Sequence, residues 1–232
     1  MQFAEPLTPA RLVQRYKRVM ADVAFPDGAI ATAHVANTGK MLGVCDPGAT
    51  VWLSRAPPGR KLAWSWRLVE ADGGLVGIDT SLPNALVAEA IEAGAIAPLR
   101  GYARLRREVK YGQASRIDIL LEDDARPPCY VEVKNVHLMR GGGLAEFPDC
   151  VAARSAKHMG ELAEMVSHGA RAVAVFVVQR EDCTAFAPAS DLDPAFATAL
   201  RSACAAGVEA IAHVCRITTQ SVTLDRAIPV RL

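Results

Sequence analysis

The residue pattern of this chain changes near position 80, and this change constrains the fold more than any other feature of the sequence. From Tyr16 to about Ile78, short β-type runs alternate with turn signals such as Pro26-Asp27-Gly28 and Asp72-Gly73-Gly74. Regular short strands predict a small closed or partly closed barrel, and about five strands with a basic surface favour an OB-like barrel. We therefore expect an all-β domain at residues 1–80.

The pattern after Ser81 predicts a different architecture. Apolar residues lie at helical spacing between Asn84 and Ala93, and Gly94 stands where a helix C-cap belongs. The predicted elements are then a helix at 84–93, strands at 102–111, 117–121 and 129–135, a helix at 150–168, a strand at 172–178, a helix at 194–206 and a strand at 208–215. This order begins α-β-β-β-α-β and predicts an α/β domain at residues 81–232, with a mixed sheet and helices on both faces.

Several classes of protein are excluded by what the sequence lacks. No uninterrupted apolar run approaches the roughly 20 residues that span a bilayer, and the first residues lack the apolar core of a signal peptide, so we expect a soluble cytoplasmic protein with no membrane partner. The six cysteines have no metal-type spacing, so disulfides and structural zinc are not expected. No Walker A, GxSxG or HExxH motif is present, and no GxGxxG follows a strand.

Two neighbouring predicted strands carry the residues with chemical potential. Glu132 and Lys134 are two apart in an apolar, β-branched run, so a strand places both side chains on the same face. Asp118 lies in the preceding run, and the acidic, proline-containing segment 122–128 has the composition of a turn. A hairpin would therefore bring Asp118, Glu132 and Lys134 together.

Two carboxylates and an amine at one place fit metal-assisted cleavage of a phosphodiester. Asp118 and Glu132 offer the hard oxygen ligands that Mg²⁺ or Mn²⁺ prefers, and the carbonyl of Val133 offers a further ligand. A bound metal lowers the pKa of a water and screens charge on phosphorus, while Lys134 could stabilise the oxyanion or orient the water. The alternatives are a solvated ion pair, and an acidic pair that persists in a protein that only binds nucleic acid.

The spacing of Asp118 and Glu132-Val133-Lys134, with the α-β-β-β-α-β order, resembles the D…(D/E)XK signature of the PD-(D/E)XK nuclease superfamily. Ile117 occupies the position of the proline in the first motif. The resemblance implies that Asp118 and Glu132 bind the metal and that Lys134 assists the water. Many members add a carboxylate from the first core helix, for which Glu89 is the candidate and Glu92 the competitor.

A second resemblance covers nearly the whole chain. It rests on Arg18, Asn37-Thr38-Gly39, Val76-Gly77-Ile78-Asp79-Thr80, Ser115-Arg116-Ile117-Asp118, Tyr130-Val131-Glu132-Val133-Lys134-Asn135-Val136, Phe147-Pro148-Asp149, Lys157-His158 and Val178-Gln179-Arg180. These motifs resemble the sugar fermentation stimulation protein A (SfsA) family. The resemblance implies an N-terminal OB-fold, a C-terminal nuclease-like domain, DNA binding without sequence preference and a link to the regulation of sugar (maltose) metabolism in bacteria. The rival interpretation is a non-enzymatic DNA-binding regulator with a vestigial nuclease site.

Positive charge is concentrated in the first part of the chain, although the net charge is only +1. Neutralising phosphates gives sequence-independent affinity, and bases stack on aromatic rings. The nucleic-acid contacts predicted in the barrel are Arg15, Lys17, Arg18, Lys40, Arg60, Lys61, Trp64 and Trp66. Those predicted in the second domain are Arg116, Arg140, Lys157, Gln179 and Arg180. The alternatives are core packing for the tryptophans, a solvated surface for the cations, a protein-interaction role for the barrel, and a structural role for His158. The sequence leaves open DNA or RNA, strandedness and the oligomeric state.

Overall fold

The computed structural model describes residues 1–112 and 115–232, and its first domain is a closed barrel. The strands are β1 (Thr8–Tyr16), β2 (Met20–Ala24), β3 (Ile30–Val35), β4 (Thr50–Arg55), β5 (Trp64–Ala71) and β6 (Gly74–Gly77). β1 pairs with β2 and β4, β2 with β3, and β4 with β5, all antiparallel. The parallel pairing of β3 with β5 closes the ring, and β6 extends β5 as a hairpin. The predicted OB-like barrel is confirmed.

Alternate residues of each barrel strand turn inward, which is why the strands form a common core. Leu12, Val23, Val35, Leu53 and Trp66 are among the residues buried there. The sequence gives no clear signal for β1 and β6, for different reasons. Most of the β1 residues are not buried, and β6 has only four residues, two of them glycine.

The second domain is built on a six-stranded mixed sheet in the order β15-β14-β12-β9-β8-β7. Its elements are α1 (Pro83–Glu92), β7 (Arg104–Tyr111), β8 (Ser115–Asp123), β9 (Arg126–Val136), β10 (Leu138–Met139), β11 (Leu144–Phe147), α2 (Ala153–Ser167), β12 (Arg171–Val178), β13 (Ala185–Pro188), α3 (Pro194–Ala205), β14 (Glu209–Ile217) and β15 (Val222–Ile228). Strands β7, β8 and β9 are antiparallel, whereas β9, β12 and β14 run parallel. Strands β10, β11 and β13 form a small second sheet.

Helices cover both faces of the large sheet, as predicted. Leu86 and Val87 of α1 belong to the core on one face. Met159 of α2 and Phe196 of α3 belong to the core on the other face. Strand β12 lies between the two cores, and its burial on both sides explains its continuous apolar run. No helix within the described residues combines the length and the apolar character needed to cross a bilayer.

The first residues of the chain lie against the second domain. Gln2 forms a bridge with Ser221, and the Phe3 amide donates to the carbonyl of Gln220 at 2.9 Å. Leu7 is buried in the core beneath α1. The chain thus contacts the second domain before it enters the barrel, and no feature used in the sequence analysis indicated this.

A set of buried polar contacts joins the barrel to the second domain. The Gly77 amide donates to the Gln179 carbonyl at 2.8 Å, and Gln179 Nε2 donates to the Asp79 carbonyl at 3.0 Å. Arg180 contacts Asp72 Oδ2 at 2.8 Å, and the Met41 amide donates to Asp149 Oδ2 at 2.6 Å. We call Asp72, Asp79, Asp149, Gln179 and Arg180 the junction network.

Candidate active site

Strand β8 changes direction at Asp118. Its pairing with β9 runs only as far as Ile119 opposite Val131, and the next Val133 amide donates instead to Asp118 Oδ2 at 2.7 Å. Ile117 packs in the core on one face of the sheet and Ile119 in the core on the other, although residues two apart in a regular strand share a face. The Asp118 carboxylate therefore replaces a ladder hydrogen bond at the point where β8 and β9 stop pairing.

The backbone on the other side of Asp118 is also irregular. Glu108 lies opposite Asp118 in the register of β7 and β8, and its φ is 54°. A non-glycine residue in this left-handed region is uncommon, and such conformations concentrate at functional sites. Both strands thus depart from regular geometry at the same level.

Glu132 and Lys134 project from β9 beside Asp118 and contact each other. Lys134 Nζ donates to Glu132 Oε1 at 2.7 Å, and His158 of α2 bonds to the same oxygen. The Glu132 side chain is only 3% exposed, and its Oε2 atom has no hydrogen-bond partner within the described residues. Burial alone would raise the pKa of Glu132, but the hydrogen bond with His158 and the Lys134 ammonium hold it below its ordinary value.

Asp118 has the opposite electrostatic environment. Burial and the negative charge of Glu132 raise the pKa of Asp118 to about 6, against the effect of its bond with the Val133 amide. Its second oxygen, Oδ1, accepts a hydrogen bond from Asn84 Nδ2 at 2.7 Å. The first turn of α1 therefore contributes an amide to the site.

Glu89, the carboxylate predicted from α1, does not face Asp118. Five residues separate Glu89 from Asn84, which turns the two side chains about 140° apart around the helix. Glu89 is 60% exposed and pairs with the amino group of Met1 at 2.9 Å. Its competitor Glu92 is also exposed. Glu89 is therefore removed from the predicted metal ligands. The residue of α1 that reaches the site is Asn84, which donates to Asp118.

Helix α2 contributes a carboxylate that the sequence analysis missed. Glu161 lies three residues after His158 on the same face of the helix and is buried. Its Oε1 atom accepts a hydrogen bond from Ser115 Oγ at 2.8 Å and contacts Lys157 Nζ at 3.2 Å. The sequence signal that could have identified Glu161 is its position, as a charged residue, on the apolar face of an amphipathic helix. We call Asp118, Glu132, Lys134, His158 and Glu161 the site cluster.

The structure removes three of the nucleic-acid contacts predicted in the second domain. Gln179 and Arg180 are buried in the junction network, and Arg180, only 1% exposed, bonds to Asp72 and Asp182. Arg140 is held by Glu146 and Asp191, so its guanidinium is already neutralised. Arg116 is exposed. Lys157 is 58% exposed although it contacts Glu161.

Two of the predicted barrel contacts also have structural roles. Arg15 donates to the carbonyls of Arg18, Asn37 and Gly39, which fixes the loop after β3. Trp66 is fully buried in the barrel core and donates to the Leu68 carbonyl at 2.8 Å, so it offers no stacking surface.

The other predicted barrel residues remain accessible. Trp64 is half-buried, lies 5.0 Å from the Phe25 ring and carries the Arg55 guanidinium over its own ring at 4.0 Å. The exposed cations are Lys17, Arg18, Lys40, Arg60 and Lys61.

A further group of exposed cations lies on β7 and β8, close in sequence to the site. Lys110 is opposite Arg116, and this pair lies two residues from the level of Glu108 and Asp118. Arg107 is opposite Ile119, one residue from that level in the other direction. Within the described residues, Arg107, Lys110 and Arg116 have no acidic partner, and β7 is an edge strand. We call these three residues, two on β7 and their neighbour Arg116 on β8, the β7 cations. Arg116 was among the predicted nucleic-acid contacts, whereas Arg107 and Lys110 were not.

Two family models cover most of the chain. The model described as "Sugar fermentation stimulation protein RE domain" matches residues 81–221, and the model described as "SfsA N-terminal OB domain" matches residues 13–78. The chain belongs to the SfsA family. This confirms the resemblance drawn from the sequence motifs.

Individual SfsA relatives agree over the whole length. A sugar fermentation stimulation protein homolog from Rhodospirillum centenum is 60% identical over 229 residues, which is 98% of each chain. A homolog from Paramagnetospirillum magneticum is 57% identical over 97% of this chain and 95% of its own. The structure of Pyrococcus furiosus SfsA in complex with Ca²⁺ is 28% identical and superimposes with a TM-score of 0.90 over 100% of this chain and 98% of that one.

Proposed function

We propose that this protein binds DNA without sequence preference and carries a Mg²⁺- or Mn²⁺-dependent phosphodiesterase site formed by Asp118, Glu132 and Lys134. The observation that carries the proposal is the unpartnered Oε2 atom of Glu132, buried beside the Asp118 carboxylate. A carboxylate oxygen without a partner in the interior is costly, and a hard divalent cation is a partner that it accepts. A family relative was solved in complex with Ca²⁺, which also prefers oxygen ligands.

The donors present fit such a cation if backbone and solvent complete its shell. Asp118 and Glu132, with the Val133 carbonyl, are the groups that would hold it. Within the described residues, no three His, Cys, Asp or Glu side chains form a ligand set of their own. Mg²⁺ commonly keeps several waters and uses only one or two carboxylates, so this donor set is sufficient.

The residues of the site would have separate roles in cleavage of the phosphodiester. When bound, the cation would lower the pKa of a water and offset charge on the phosphate. Lys134, positioned by Glu132, would donate to a phosphate oxygen or orient the attacking water. His158 and Asn84 would fix the orientations of Glu132 and Asp118 respectively.

DNA binding is assigned to two exposed basic surfaces. One is formed by Lys17, Arg18, Lys40, Arg60 and Lys61 of the barrel, with Trp64 as a stacking surface, and the other by the β7 cations. Contacts from such residues to phosphate carry no sequence information, which fits nonspecific binding. The family name links these proteins to sugar fermentation, and we extend that link to regulation of sugar metabolism, maltose included, through DNA.

The test of the enzymatic half is incubation of end-labelled single- and double-stranded DNA with the full-length protein and Mg²⁺ or Mn²⁺. We expect metal-dependent fragments from the wild type and none from Asp118→Asn or Lys134→Met. Glu89→Gln is the matched control because it removes a carboxylate that faces away from the site, and it should cleave like the wild type. Fragments that persist in Asp118→Asn would assign the cleavage to a contaminant and reject the site.

A second candidate function is a non-enzymatic DNA-binding regulator with a vestigial nuclease site. It is favoured by the contacts of Glu132 Oε1 with Lys134 and His158, because this arrangement compensates part of the negative charge without a metal. The same experiment separates the two functions. Intact DNA that is shifted on a gel, with equal affinity in Asp118→Asn and no heat of Mn²⁺ binding, would support the regulator.

The test of the binding half is a salt titration with random-sequence duplex DNA. Affinity should fall steeply as the salt concentration rises. Each phosphate contact that is lost should reduce the slope of log K against log salt concentration by about 0.9. Arg107→Ala, Lys110→Ala and Arg116→Ala should lower the slope when combined. Replacing Lys17, Arg18 and Lys40 is the matched change in the barrel, and a salt-independent affinity would contradict the proposal.

A further inference from the structure

The site cluster contains buried oxygen atoms beyond those of the two strand carboxylates. Glu161 is 10% exposed, and its Oε2 atom has no partner within the described residues. The buried hydroxyl of Tyr111, at the end of β7, lies near the Glu161 side chain but has no partner there with normal hydrogen-bond geometry. With Glu132 Oε2, three buried oxygens lack the hydrogen bonds that buried polar atoms normally make.

These three oxygens lie in one neighbourhood. Burial raises the pKa of the Tyr111 hydroxyl, and so do the negative charges of Glu132, Glu161 and Asp118 and the interaction with the Glu161 side chain. Ser115 links Glu161 of α2 to the start of β8, the strand that carries Asp118. Glu161 and His158 share a face of α2, and His158 bonds to Glu132.

The charges of this neighbourhood do not balance. Three carboxylates, those of Asp118, Glu132 and Glu161, stand against two buried cationic groups, the ammonium of Lys134 and, when protonated, the imidazole of His158. Lys157 contacts Glu161 but lies largely in solvent, where screening weakens its effect. Buried carboxylates in excess of buried cations are costly unless a further positive charge is present.

We propose that Glu161 and the Tyr111 hydroxyl are positioning residues that bind the water shell of the cation held by Asp118 and Glu132. This inference rests on the proposed function, since it assigns further residues to the same site. Binding through water follows from the absence, within the described part of the chain, of three acidic side chains that form a direct ligand set. Outer-shell partners of this kind orient metal sites and strengthen their affinity.

The experiment measures binding and does not depend on catalysis. Mn²⁺ is titrated calorimetrically into full-length wild type, Glu161→Gln, Tyr111→Phe and Ser115→Ala. Glu164→Gln is the matched control, because Glu164 is exposed on the same helix three residues later. Tb³⁺ emission lifetimes in H₂O and D₂O then count the waters on the ion in each variant.

We expect Glu161→Gln to weaken Mn²⁺ binding by roughly 10- to 100-fold, the effect typical of an outer-shell residue. Tyr111→Phe should cause a smaller loss, and Glu164→Gln none. The number of waters on Tb³⁺ should be the same in Glu161→Gln and in the wild type. An additional water in Glu161→Gln would overturn the water-mediated role, because it would mean that Glu161 ligates the ion directly.

The remaining outcomes separate this inference from the function beneath it. Unchanged Mn²⁺ affinity in Glu161→Gln would overturn the inference and leave the proposed function standing. An equal loss in Ser115→Ala would also overturn it, because Glu161 would then act only by holding β8 in place. A wild type that binds neither Mn²⁺ nor Tb³⁺ would reject the proposed metal site itself.

Discussion

The site cluster and the junction network are two groups of polar residues, most of them at least partly buried, and they differ in how far their charges are neutralised. In the junction network, Arg180 bonds to Asp72 and Asp182, and Asp79 bonds to Arg67 and to Ser81. Within the described residues, its buried side-chain atom without a hydrogen-bond partner is Gln179 Oε1, an uncharged amide oxygen. In the site cluster, the partnerless atoms include oxygens of two carboxylates, Glu132 and Glu161. Paired charges indicate a structural role, whereas open anionic oxygens indicate a place for a ligand.

The largest expected loss of stability comes from a substitution in the junction network. Arg180→Ala removes a side chain that is 1% exposed, with its bonds to Asp72, Asp182 and the His137 carbonyl, and the cavity left behind should lower the free energy of unfolding by about 3 kcal/mol. Urea unfolding of the full-length protein measures this loss. Mn²⁺ affinity should remain that of the wild type, and a large loss of Mn²⁺ binding would show that the two groups are not independent.

A smaller effect is expected at the contact between Gly77 of the barrel and Gln179 of the second domain. A Cβ at Gly77 would lie 2.3 Å from Gln179 Oε1, so Gly77→Ala should destabilise the protein by about 2 kcal/mol. Because the clash is with a side chain, the double variant with Gln179→Ala should recover part of that loss, as measured in a double-mutant cycle. An additive double variant would locate the strain in the backbone of the junction.

The third expected effect is a pH dependence of opposite sign in the two groups, and it is the smallest within any one pH unit. In the metal-free protein, the pKa of Asp118 is about 6 when folded and 3.8 in its reference state, so stability is lost as pH rises between these values. Burial alone would raise the pKa of Asp149, but His137 and the Met41 amide lower it, so Asp149 stabilises above its reference pKa of 3.8 and loses this contribution at lower pH. The Asp118 slope should be on the order of 1 kcal/mol per pH unit, and the Asp149 slope has the opposite sign.

Urea unfolding in the presence of a chelator measures both slopes. Asp118→Asn should abolish the first trend and leave the second, and Asp149→Asn should do the reverse. If stability between about pH 4 and 6 is the same in the wild type and in Asp118→Asn, then the folded protein does not perturb Asp118 as inferred.

The sequence predicted what depends on local pattern. Alternation and turn residues are sufficient for the barrel, and the apolar runs with helical spacing are sufficient for the order of the α/β domain. The spacing of Glu132 and Lys134 predicted their contact, because a strand places residues two apart on one face.

The sequence could not predict what depends on distant partners. Gln179 and Arg180 have the composition of a functional strand end, but their partners Asp79 and Asp72 lie about 100 residues earlier in the chain. Trp64 and Trp66 are two apart in β5, and only their level along the barrel makes one accessible and the other fully buried. Glu89 and Asn84 lie on one helix, and the rotation of that helix on the sheet decides which of them meets Asp118.

The position of the first residues against β15 has a consequence for synthesis and for fragments of this protein. The partners of Gln2 and Phe3, Ser221 and Gln220, lie more than 200 residues later in the chain, so the first segment stays unpaired until that part has been synthesised. A cut at residue 80 would also remove Leu7 from the core beneath α1. An isolated second half would therefore expose apolar surface that the intact chain covers with its own beginning.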